Sequence, residues 1–404
     1  MAPSPSFLSY LFGVVIVGAG CSTAASRPPV NPMDGAVDPV GGAGTSGAGT
    51  AGGAVTGGAT GTGGAGTAGG GSGGSATPGP DAAAEMSGKD AAAGEAGNDG
   101  PAPPAPLGPA GGACPGGPYG NPLPANLNAT LVKSFPGELE GPAWVAAQKA
   151  LYFAQSGGGS NNGLINKYTP ADGKFTVFAS NVGVAGLAVD PDGMLVAASY
   201  DSRSLTRFDP ATGKRTDVAG GSRYNGQPFD EVNDVVVRAD GNMYFSDPNY
   251  ATPPGTQPQA FYRLSPPPES KVSLVFMAKN ANGIALSPDG AWLFVATTDN
   301  GGTPLRRIPV AADGSVSGQG TTWKEASSDG MGVDCAGNLY LSVATATNVI
   351  EVISSSDQPL GNIVGLGGGY VTNSAFGDDD RKTLYITTSE GLYKIQMNVP
   401  GFPN

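Results

Sequence analysis

Six positions recurring at a roughly 47-residue interval concentrate the polar chemistry of this chain: Glu140, Ala185, Asn233, Asn282, Asp329 and Asn373. Each heads a segment in which an apolar alternation runs into a turn and a second apolar run, as in EGPAWVAAQKALYFA from Glu140 and NGIALSPDGAWLFVA from Asn282. All but Ala185 carry a side-chain oxygen, two as carboxylates and three as carboxamides. Gathered in one cavity, such groups are costly to bury unless something satisfies them. Hard oxygen donors bearing two negative charges suit a divalent cation, Ca2+ first, with Mg2+, Mn2+ or Zn2+ as alternatives. A hydrated channel of hydrogen-bonded acids and amides without metal uses the same residues, and the pattern alone leaves both open.

Short strands must position these residues. Between the head segments lies a second strand pair, clearest as GLINKYTPADGKFTVFA (163–179) and SLTRFDPATGKRTDVA (204–219). Four antiparallel strands at this period make one blade of a β-propeller, and six repeats predict six blades, all-β, over residues 125–404. In that fold the innermost strands line a central channel, so the head residues are expected to face one another. The Asp-Gly turns at 192–193, 240–241 and 289–290 favour tight hairpins. The last repeat supplies only three strands. ATLVKSF (129–135) is expected to enter that blade as its fourth, closing the ring without an open sheet edge.

Composition excludes several chemistries. With His 0, neither Ser-His-Asp nor Cys-His catalysis is available, nor an imidazole-bound metal. Three well-separated cysteines cannot form a four-thiolate site. A formal net charge of −12 without a basic run speaks against a nucleic-acid partner. A monomer acting on a small molecule is expected.

Residues 1–20 read as a signal peptide: FLSYLFGVVIV is too short to span a bilayer and ends in GAGC. Small residues leading into Cys21 suggest a lipoprotein in which Cys21 is the lipidated first residue. The leader MAPSPS lacks Lys and Arg, a departure from that pattern that leaves an ordinary cleaved signal as the alternative. Residues 21–124 are dominated by Gly, Ala, Thr and Pro and cannot bury enough apolar surface to offset ordering, so a disordered tether is expected. The only membrane contact foreseen is that lipid anchor, placing the domain in the cell envelope. Export also bears on Cys114 and Cys335, the pair left over once Cys21 is lipidated: a disulfide or two free thiols.

EGPAW, VNDVVVRADGNMYFSDPNY, NGIALSPDG, DGMGVDCAGNLY and TNSAFGDDDRKTLYIT resemble the gluconolactonase / senescence-marker-protein (regucalcin-like) family, in register over roughly residues 131–401. The resemblance implies a six-bladed propeller with a divalent metal at the channel mouth. By position it assigns the ligands to Glu140, Asn233, Asn282 and Asp329. It implies hydrolysis of a lactone, a sugar lactone being the type substrate, with a bound cation polarising the carbonyl. Asp329 is then the candidate catalytic group, as base toward water or as direct nucleophile. Asn373, Arg223 and Tyr224 are candidate substrate contacts, with Phe229 beside them. Trp144 and Trp292 read as packing residues, and Asp247 as a turn cap or a group near the channel. Ala185 departs from the Asn common at its position. A non-catalytic surface-tethered propeller binding carbohydrate or protein, and a phosphotriester or other ester hydrolase using the same metal site, are the competing functions.

Overall fold

A strand buried at every position must be covered on both faces. Ala150–Gln155, Leu195–Ser199, Met243–Asp247 and Thr383–Thr388 are buried at every residue. The computed structural model describes residues 114–157, 162–250, 257–298, 304–343 and 348–402. The expected signal peptide, Cys21 and the tether up to residue 113 lie outside them.

Among the described residues, six four-stranded antiparallel sheets form the blades of a propeller. Blade 1 comprises Leu139–Val145, Ala150–Gln155, Gly163–Thr169 and Lys174–Val182, and blade 2 Val184–Val189, Leu195–Ser199, Ser204–Phe208 and Arg215–Asp217. Blade 3 is Val235–Val237, Met243–Asp247, Ala260–Leu264 and Val272–Met277, and blade 4 is Ala281–Leu286, Trp292–Thr297, Leu305–Pro309 and Thr321–Lys324. Blade 5 is Met331–Val333, Leu339–Ser342, Ile350–Ile353 and Pro359–Ile363. Blade 6 takes Val371–Gly377, Thr383–Thr388 and Gly391–Gln396 from the C-terminal end and Thr130–Ser134 from the N-terminal end. Thr130 pairs with Lys394 and Ser134 with Gly391, so both ends of the domain close one sheet, as the repeat count predicts.

The core is divided rather than central. One apolar cluster fills each gap between neighbouring blades: Phe229, Phe245 and Tyr262 between blades 2 and 3, and Leu139, Phe153 and Tyr385 between blades 6 and 1. Each fully buried Leu or Phe there contributes roughly 1.5–3 kcal/mol. Trp144 stacks on Tyr385, ring centroids 6.4 Å apart, and Arg307 lies over Trp292 and Trp323, so both Trp144 and Trp292 pack.

The chain binds the propeller earlier than its composition indicates. Leu123 joins the cluster between blades 5 and 6, and Asn398 donates to the carbonyl oxygens of Pro122 and Leu123. Cys114 is bonded to Cys335, Cα–Cα 5.6 Å, on the turn between the first two strands of blade 5. Pro400 accepts from the Cys335 amide, and Phe402 donates to Val333. Residues 114–124 thus belong to the folded unit: a few apolar anchors and one covalent bond hold a segment that has no strand periodicity.

The disulfide spans 221 residues of sequence. Restricting so long a loop in the unfolded chain stabilises by at most ~5 kcal/mol. Cys114→Ser is expected to lower the melting temperature by about 5–10 °C in a non-reducing melt, with reductant producing the same shift in the wild type and none in the variant.

Candidate metal and active site

The head residues reach the channel through a repeated backbone irregularity. In blades 1, 2 and 4 the innermost strand shifts register just after its start, between Glu140 and Ala143, Val184 and Leu187, and Ala281 and Ile284. Such bulges twist a strand and re-aim its side chains. They also bring neighbouring blades into close contact. A Cβ on Gly141, whose φ is +45°, would lie 2.3 Å from the Ala185 carbonyl oxygen. One on Gly283 would lie 2.3 Å from that of Asp329. Glycine is the residue that permits this approach, and the residue just before it, Glu140 or Asn282, carries its side chain into the mouth of the channel.

Glu140, Asn233, Asn282 and Asp329 line one cavity of about 410 Å³ at that mouth, with Ala185 on its wall. Asn282 Nδ2 donates to Asp329 Oδ1 at 2.6 Å and to the Tyr250 hydroxyl at 3.2 Å. The Gly141 amide donates to Glu140 Oε2 at 3.1 Å. A groove of comparable size, about 440 Å³, lies at the far end of blades 2 and 3 around Pro191, Arg207 and Pro266, and none of the head residues lines it.

The structure does not bring Asn373, Arg223 or Tyr224 into the described lining of the cavity. Asn373 Oδ1 accepts from the Ser374 amide at 2.8 Å, and its side chain is hydrogen-bonded to Asp234. A Cβ on Gly330 would sit 2.0 Å from the Asn373 carboxamide carbon, so that amide is packed beneath the neighbouring blade. Asp234 and Asn373 belong to opposite blades and together form a floor across the channel. Burial pushes the Asp234 carboxyl up to about 7. Arg223 and Tyr224 form a two-stranded ribbon with Gln227 and Pro228: Arg223 donates to the Gly226 carbonyl oxygen, and the Tyr224 ring packs 5.2 Å from Tyr262. Phe229 is fully buried. Asp247 accepts from the amides of Asp230 and Glu231, the latter at 2.7 Å, and burial pushes it up to about 7.

Other lining residues escaped the sequence reading. Tyr200, Tyr250 and Thr298 lie one to three residues past the end of a second strand. An antiparallel hairpin returns that end beside the head of the first strand, and this topology was the available signal. Glu138 and Glu231 stand two residues before the heads Glu140 and Asn233, and Tyr370 immediately precedes the first strand of blade 6. The Tyr370 hydroxyl donates to Glu138 Oε1 at 2.6 Å, and the Tyr250 hydroxyl pairs with Thr298 at 3.1 Å.

Among the described lining residues there is no Lys or Arg. Desolvation, together with neighbouring carboxylates including Asp329 and Glu138, holds Glu140 well above the usual carboxylate range. Desolvation, then Glu138 and Asp234, does the same to Asp329. Such charges are unfavourable without a partner. No group of three His, Cys, Asp or Glu side chains converges as ligands among the described residues. The donor set here is instead two carboxylates and two carboxamides, all oxygen ligands facing the cavity and accessible from its mouth, which fits a hard divalent cation. Asn282 would hold such an ion through Oδ1, which a half-turn of the amide exchanges with Nδ2 and which would give up the bond to Asp329.

A six-bladed propeller with an acidic, oxygen-lined channel mouth defines the class. A family model for the SMP-30/Gluconolactonase/LRE-like region matches residues 139–390, and the chain belongs to that family. It is 26% identical over 297 residues to a gluconolactonase of Zymomonas mobilis, spanning 65% of this chain and 79% of the relative. A solved gluconolactonase from Xanthomonas campestris is 26% identical with a TM-score of 0.57, covering 74% of this chain and 99% of that one. A calcium-binding regucalcin from Agrobacterium tumefaciens, 19% identical with a TM-score of 0.56 over 68% of this chain and 96% of its own, shares the fold.

Because the carboxyls of Glu140 and Asp329 bind protons more tightly folded than unfolded, their contribution to metal-free stability is greatest at acid pH. It falls as pH rises from the ordinary carboxylate range through the raised folded values. Glu140→Gln should flatten this decline and raise the melting temperature of EDTA-treated protein at pH 8 by about 2–5 °C. An unchanged or lowered value would contradict the charge repulsion.

Proposed function

We propose that this protein is a divalent-metal-dependent hydrolase of lactones, with a sugar lactone as substrate. The observation that carries this reading is the convergence of Glu140, Asn233, Asn282 and Asp329 on a cavity that has hydroxyl-bearing walls and no basic residue among its described lining. The gluconolactonase names of the relatives support the reaction. The calcium-binding relative that shares the fold, and the charge on the donor set, support Ca2+ ahead of Mg2+, Mn2+ or Zn2+.

These four side chains would hold the ion, which when bound supplies Lewis acidity toward a carbonyl oxygen and acidifies water. The chain's own groups do the rest. Tyr250, held against Thr298 and Asn282, and Tyr200 on the cavity wall offer phenol groups to substrate hydroxyls. Burial raises both phenols above their ordinary value, so they remain protonated donors. Asp329, on the lining beside Asn282, takes the proton from the attacking water. The ring C–O bond breaks, Asp329 passes the proton it took from water to the departing ring oxygen, and a hydroxy acid leaves. We further infer that Cys21 carries a lipid and that the segment after it tethers a monomeric domain within the cell envelope.

The test is acid release from glucono-lactone measured by pH-stat, after EDTA treatment and after Ca2+ is restored. Restored protein should exceed the spontaneous rate at least a hundredfold, and Asp329→Ala should lose about 10²–10⁴ of that rate with its melting profile retained. No metal-dependent turnover of any lactone, with Ca2+ still raising the melting temperature, would move the protein to the binding-module reading.

A further inference from the structure

The cavity holds more acid than cation binding requires, which bears on how a lactonase built on this site selects its substrate. Glu138 and Glu231 line it in addition to Glu140 and Asp329. Both are held in place. Glu138 accepts from Tyr370 at 2.6 Å, Glu231 accepts from the Tyr250 amide at 2.8 Å, and Asp247 grips the Glu231 backbone. Both also face the reacting centre. Glu138 lies two residues before Glu140 and Glu231 two residues before Asn233, and Tyr200 stands on the same lining. With the inner pair matched by a divalent ion, Glu138 and Glu231 still place two carboxylates on a lining whose described residues include no Lys or Arg.

We propose that Glu138 and Glu231 act as a charge filter: they admit neutral polyhydroxylated lactones, reject lactones bearing a carboxylate or phosphate, and drive out the carboxylate product. This rests on the lactonase reading. A carboxylate has several lone pairs, so Glu138 can accept from a sugar hydroxyl while holding Tyr370. The same groups repel an anion, and repulsion in a partly desolvated cleft is several times stronger than in water. Hydrolysis changes the sign of the encounter. Water adds its oxygen to the carbonyl carbon, the ring C–O bond breaks, and the resulting hydroxy acid loses one proton, so a neutral ligand becomes an anion inside a negatively charged cavity. Release is thereby favoured at the step where product would otherwise compete with substrate.

The experiment uses the Ca2+-loaded domain as wild type, Glu138→Gln, Glu231→Gln and the double variant. Calorimetry reads the affinity for gluconate, and kinetics read the kcat/KM ratio between an anionic lactone carrying a phosphate or carboxylate and a neutral one. In the double variant at low salt, gluconate should bind roughly tenfold tighter and the anionic-to-neutral ratio should rise by a similar factor. In the wild type, added salt should shift both quantities the same way through screening, which tests the filter even if a variant folds poorly. Gluconate affinity that is equal in wild type and double variant, or undetectable in the double variant, overturns the proposal. If no lactone of either charge is turned over while gluconate still tightens in the variant, the lactonase reading falls and the filter stands.

Discussion

Everything at the channel mouth depends on how closely the six innermost strands approach one another. Gly186 donates to the Asn233 carbonyl oxygen at 2.6 Å and Gly330 to that of Thr372 at 2.6 Å, so each backbone meets the next blade with no room for a side chain. The residue ahead of the glycine is then turned toward the axis. This is why positions 140 and 282, far apart in sequence, face the same cavity, and why the residue following Asn233 is an exception. There, Asp234 replaces glycine and extends below the mouth to meet Asn373, forming the floor.

Close approach creates the electrostatic character of the site. Narrowing removes water from Glu140 and Asp329, and no described basic residue lines the cavity to compensate them. A fold that merely required packing at these positions would place apolar or small residues there, as at Ala185. The two retained acids, Glu140 and Asp329, burden the metal-free protein, and on the proposed reading they would join Asn233 and Asn282 as the donors of a hard ion.

Ring closure runs along the whole of blade 6, and a covalent brace sits at the end away from the mouth. The disulfide reaches the far turn of blade 5, where Val399 and Phe402 also pack. The N-terminal strand lies on the outer edge of blade 6. These devices brace the propeller without contributing to the described mouth, where Tyr200, Tyr250 and Tyr370 extend from different blades. The disulfide and the candidate site therefore lie at opposite ends of the blades.

The sequence by itself determined the blades, their number, the strand that closes the ring and the head positions, because strand alternation and a fixed repeat are local patterns written every few residues. The Cys114–Cys335 pairing was legible as one of two outcomes. Tertiary structure alone decided the rest. Asn373 shares its repeat position with the cavity residues, yet the amide is drawn under Gly330 toward Asp234, an interaction between opposite blades that no local pattern records. Arg223 and Tyr224 precede Asn233 closely in the chain, but the ribbon they form faces Tyr262 rather than the channel. Glu138, Glu231 and the three tyrosines enter the site from strand ends and loops, whose direction is set by how neighbouring blades pack. Side-chain position along a strand follows from backbone period; position around an axis follows from the contacts that bring six strands together.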